Sequence, residues 1–208
     1  RWREARPVYA CRLKRINAEQ GTPHLKEHIQ NFLIVSVAYI TAYSLVLGFV
    51  SPLQQMLLSN VVSELSVLFL PHGVRVLAFY LLGWRAAFYL LPASYLMMLL
   101  TAQAGITLNT WAPVVSVIGC YFGFALITRF FPESVTHRQF PKWQYFGLIA
   151  LLGSVLNSVG NTILLKQELD ITVAAGYLIG DMAGFFVCFL ILMYAFRFAR
   201  LLTTVNDA

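Results

Sequence analysis

The chain has 208 residues, of which 59% are hydrophobic and 12% charged, with a net charge of +6. A soluble domain is about one-quarter charged, and a fold of this size has too little interior to hide so much apolar surface. The composition excludes a soluble enzyme, a disordered tail and a nucleic-acid-binding module, and indicates a single all-α integral membrane protein.

Residues 1–30 form a basic segment that holds seven of the fifteen Lys and Arg residues. Its polarity is the opposite of an apolar signal core, so no cleavable signal is expected there. By the positive-inside rule the segment is cytoplasmic, against the lipid surface. Residues 31–199 form the transmembrane domain, and 200–208 a short cytoplasmic tail. Five apolar runs follow one another at 31–50, 86–102, 111–131, 144–165 and 172–196. Each has about the 17–25 residues that a spanning helix needs. Between the first two lies 51–85, interrupted by Pro71-His72-Gly73. It reads as one broken crossing, irregular up to Pro71, with a short helix from about Gly73. That makes about six crossings with both termini cytoplasmic. Thirteen of the fifteen basic residues then lie inside, Lys166 outside and Arg75 within the bilayer.

Glu64, Arg75 and Asp181 are the intramembrane charges. Each costs about 2.5–3.5 kcal/mol or more unless paired or wetted. Arg75 is expected within salt-bridge reach of Glu64 or Asp181, either as a structural pair or as a clamp for an anionic ligand. His72 adjoins the break. No second intramembrane histidine accompanies it for a haem, and no metal spacing surrounds it, so a backbone hydrogen bond is the plainer expectation. The three cysteines, Cys11, Cys120 and Cys188, form no metal or disulfide pattern. No cofactor and no metal are expected.

Asn157 and Asn161 stand four apart in the fifth crossing, on one helical face. The sixth carries Gly176, Gly180 and Gly184 at four-residue spacing beside Asp181, a close-packing pattern. The expectation is that these two helices approach tightly, with Asn157 or Asn161 bonded near Asp181. No nucleophile–base pair, phosphate-binding loop or metal motif accompanies these residues, so the chain is read as non-enzymatic.

The element Pro71-His72-Gly73-Val74-Arg75-Val76-Leu77-Ala78, then Leu82-Gly83-Trp84-Arg85, resembles the "P-x-G, apolar helix, G-x-R" element of bacterial membrane-associated sensor domains. Tyr177-Leu178-Ile179-Gly180-Asp181-Met182-Ala183-Gly184 is similar to the closing "GD-x-x-G" helix of that family, and the likeness covers about residues 55–195. It implies a multi-helix input module for signal transduction in a bacterial inner membrane, here without the usual output domain. A ligand or a membrane partner would then bind near the break, at Glu64, His72, Arg75, Asn157, Asn161 and Asp181. The architecture also resembles substrate-binding subunits of energy-coupling-factor transporters, which dock through small first-helix residues such as Ala38 and Ala42. A structural subunit of a larger membrane complex is a third reading. The expected partners are the lipid bilayer, a membrane protein or a second copy of the chain, and a small molecule, with no nucleic acid.

Overall fold

The computed structural model describes residues 6–57, 66–103, 109–131, 142–166 and 170–206, and all their regular structure is helical. The helices are α1 (Arg6–Leu45), α2 (Ser51–Leu57), α3 (Leu70–Leu82), α4 (Ala86–Gln103), α5 (Ala112–Phe130), α6 (Lys142–Lys166) and α7 (Ile171–Asn206). A π-helical turn, Val46–Val50, joins α1 to α2, and a 3₁₀ turn, Gly83–Arg85, joins α3 to α4. The chain divides into two compact units, Arg1–Ile34 and Val35–Ala208. The second holds α2 to α7 and the carboxy-terminal part of α1.

Among the described residues, five helical stretches are long and apolar enough to cross a membrane: Leu25–Leu57, Leu70–Ala102, Ala112–Phe130, Gln144–Leu164 and Ile171–Ala195. They fall on the five apolar runs of the sequence, where about six crossings were expected. The stretch 51–85 is divided between neighbours. Its start prolongs the first span as α2, and its end is α3, which leads through the 3₁₀ turn into α4. With 13 residues, α3 rises only about 20 Å against a hydrocarbon core of about 30 Å.

Two prolines explain the local geometry. Pro52 lacks an N–H, and its ring would crowd the carbonyl of Gly48 in a regular helix. The wider π turn lies there, closed by the Ser51 N–H on the Val46 carbonyl. The apolar helix thus runs past Val50 to Leu57. Pro71 sits in the first turn of α3, where no N–H is needed and its fixed φ suits the helix. The helix accordingly starts at Leu70, earlier than Gly73. Pro71-His72-Gly73 opens this helix, and the non-helical stretch lies just upstream, at 66–69. Gly73 is not the positive-φ glycine; Gly83 is, at φ +60° where α3 ends. Gly73 matters for space: a Cβ there would come within 2.5 Å of the Cys188 Cβ on α7.

Residues 66–69 lie along α7. The Phe69 N–H donates to the Gly180 carbonyl at 2.9 Å, and the Val67 N–H donates to Gln54 Oε1 at 2.9 Å. A Cβ on Gly180 would strike the Ser66 carbonyl oxygen, and one on Gly184 the Phe69 carbonyl. These two glycines therefore receive the non-helical backbone of 66–69. Gly176 lies one turn earlier on α7, half-buried. The α5 and α6 helices also approach closely: a Cβ on Gly123 would lie 2.7 Å from the Gly153 nitrogen, and one on Gly119 3.1 Å from the Asn157 nitrogen.

Eight residues of α3 are buried, including Arg75 and His72. One apolar cluster joins Val76 to Ile127, Tyr145, Ile149, Ala150 and Phe185. A second joins Leu70 to Ala42 and Val46. Ala42 is thereby buried while Ala38 is exposed, so the two alanines do not form one free docking stripe. Outward faces carry large apolar side chains such as Phe49, Leu81, Phe88 and Phe130, a surface suited to lipid.

The Gly184→Ala substitution is expected to destabilise by about 1–3 kcal/mol, because the obstructing atoms are backbone. Gly147, with open space around its Cβ position, is the control: Gly147→Ala should be neutral or stabilising by up to about 1 kcal/mol. Denaturant unfolding in detergent micelles measures both.

Candidate functional site

Buried polar groups in an apolar bundle must find partners or cost several kcal/mol each, by order of magnitude. Here they converge on α3 from α1, α5, α6 and α7. The α3 helix presents His72 and Arg75 three residues apart, near its start, so both fall within one turn.

His72 is fully buried. Its Nε2 lies 3.1 Å from the Ala150 carbonyl on α6, so Nε2 carries a hydrogen and donates it. Its Nδ1 lies 3.5 Å from Asp181 Oδ2 and 3.8 Å from Cys120 Sγ. The backbone partner is thus on a neighbouring helix, not near the start of α3. Asp181, on α7, is 1% exposed. Its Oδ2 accepts from Asn157 Nδ2 at 2.6 Å and from Ser154 Oγ at 3.4 Å.

The chain of contacts continues through α6 to α5. Asn161 Nδ2 donates to Asn157 Oδ1 at 2.7 Å and lies 3.2 Å from Ser116 Oγ. One path thus links Ser116, Asn161, Asn157, Asp181, His72 and the Ala150 carbonyl. It ties α3, α5, α6 and α7 together.

Cys120, His72 and Asp181 invite comparison with a nucleophilic triad, but the nitrogens are wrong. A triad places its nucleophile on one imidazole nitrogen and its carboxylate on the other. Here Cys120 and Asp181 both face Nδ1, while Nε2 is held by a carbonyl. Among the described residues no group of three or more His, Cys, Asp or Glu could hold a metal ion.

Arg75 lies apart from this path. Its Nη2 donates to the Tyr39 hydroxyl at 2.8 Å. Its Cζ stands 5.4 Å from the ring centroids of both Tyr39 and Phe69. The side chain is 3% exposed, and among the described residues Nε and Nη1 have no hydrogen-bond partner. The expected pairing with Asp181 is not formed: the carboxylate is engaged by His72, Asn157 and Ser154. Glu64, the other expected partner, lies outside the described residues.

Tyr39, Phe69, Ser116 and Ser154 were not singled out in the sequence, and Cys120 was noted there only as outside any metal or disulfide pattern. Ser154 had a readable signal, standing three residues before Asn157 and seven before Asn161 on the same helical face. Tyr39 had none, being one aromatic in an apolar run.

A double-mutant cycle of Asn157→Ala and Asp181→Ala is expected to show a coupling of about 0.5–2 kcal/mol. Asn157→Ala alone should cost more than the double variant predicts by addition, since it strips a donor from a buried acceptor. Unfolding free energies in micelles supply the four corners.

Comparison of the chain with protein-family models, with curated proteins and with solved structures finds no match.

Proposed function

We propose that the chain is a non-enzymatic inner-membrane input module, similar to bacterial membrane-associated sensor domains, that binds a small ligand or a membrane partner beside the start of α3. The supporting observation is Arg75: a buried guanidinium whose Nε and Nη1 lack partners among the described residues. A cation in an apolar bundle is costly unless an anion meets it, and its described partner, Tyr39, is a neutral hydroxyl. The distribution of basic residues supports both termini being cytoplasmic. In that topology α3 is a partial sixth crossing that starts at membrane depth and runs toward the cytoplasmic Arg85. Broken helices of this kind line binding sites in membrane proteins because irregular backbone persists only when wrapped by protein or beside a wet cavity.

Thermal melts of the purified protein, with and without small molecules extracted from the native cells, test this reading. The wild type should be stabilised by the extract, and Arg75→Ala should lose that response while retaining its helical content. If neither the extract nor a co-purifying membrane protein stabilises the wild type, or if Arg75→Ala responds equally, the reading fails.

A further inference from the structure

A guanidinium offers five N–H hydrogens in one plane. In Arg75 one goes to Tyr39, and the rings of Tyr39 and Phe69 provide its π contacts. Nε and Nη1 have no partner among the described residues, and Nη2 keeps a second hydrogen. That hydrogen runs parallel to one on Nε or to one on Nη1, so one two-pronged donor pair remains, and it matches the two oxygens of a carboxylate.

The charge balance narrows the class further. The buried ionisable side chains among the described residues are His72, Arg75 and Asp181, and the first and last of these face each other at 3.5 Å. Arg75 forms no ion pair with a described carboxylate. A monoanion neutralises the guanidinium, whereas a phosphate brings further oxygens and charge that nothing nearby would satisfy. The start of α3 has no side-chain cap, and its positive end adds attraction of the same sign.

The surroundings then describe the rest of the ligand. Tyr39 and Tyr43 lie 6.1 Å apart by ring centroid, and Tyr43 meets Phe69 edge-on at 5.8 Å. Tyr43 and Phe69 are only partly buried, so this aromatic wall has surface left to cover. Apolar atoms match this wall, whereas a hydrophilic body would be desolvated against it without return.

Resting on the ligand reading of Arg75, we propose that this site takes a carboxylate carried on an apolar body. Such a molecule reaches it either from the bilayer, as a long-chain fatty acid, or from water, as an aryl carboxylate.

The test uses the full chain in nanodiscs. Oleate incorporated in the bilayer and benzoate added in solution are the two probes, and benzamide and inorganic phosphate are the controls. The melting temperature should rise with oleate or benzoate, the responding probe identifying the source, and stay unchanged with benzamide and phosphate. Arg75→Lys keeps the charge but loses the planar fork, and should weaken the response at least about tenfold in probe concentration. The comparison of benzoate with benzamide on the wild type needs no variant, so it stands even if Arg75→Lys fails to fold. Equal shifts with benzoate and benzamide, a response to phosphate alone, or no response to either carboxylate each overturns the proposal. Should Glu64→Gln alone create a carboxylate response absent in the wild type, the chain's own carboxylate is the natural occupant and the proposal is likewise overturned. If cell extract stabilises the wild type while oleate and benzoate do not, the ligand reading survives and the carboxylate assignment falls.

Discussion

Non-helical backbone packed among apolar helices has to find its hydrogen bonds locally, and the short stretch at 66–69 does so on Gln54 and on one face of α7. Phe69 donates to the Gly180 carbonyl, and the Ser66 and Phe69 carbonyls occupy the space that side chains at positions 180 and 184 would fill. This docking sets where α3 begins. It brings Phe69 over Arg75 and places His72 in reach of Asp181, which adjoins Gly180 on the same helix. The glycines and the acid of α7 thus serve one end: the glycines admit the chain, and the carboxylate meets the histidine that follows.

Length and hydropathy made the helical class and the five long apolar segments legible, because a spanning helix needs about twenty apolar residues and little else produces them. The fate of 51–85 was less legible. Pro71 read as a stop, yet it is accommodated in a first-turn position, as Pro52 is by a π turn. A proline's effect depends on which carbonyls it faces, and that is set by structure.

The polar residues divide in the same way. Intramembrane Asn, Asp, His and Arg stand out because their burial is costly, and the path from His72 to Asn161 is made of such residues. Their pairing was not readable. Asp181 had three suitors, and Arg75 engages Tyr39 instead, a choice decided by the positions of α1 and α7. The Gly180–Gly184 spacing announced close approach without naming the occupant, because a non-helical segment and a helix both fit where side chains are absent. The α5–α6 contact was written equally plainly in Gly119 and Gly123, at the same four-residue spacing.

The dependence of His72 on distant helices has a consequence for biosynthesis. The Ala150 carbonyl that holds its Nε2 is encoded 78 residues later, and Asp181 later still. At roughly 5–20 residues per second, α3 emerges roughly 4–16 s before that carbonyl exists. During the interval a histidine and an arginine sit on a nascent segment of 13 residues, too short to span and without their final partners. The insertion machinery or the membrane surface must shelter that segment until α6 and α7 arrive. Assembly of the core is therefore a late, post-insertion event, in which the carboxy-terminal half closes around a helix made long before it.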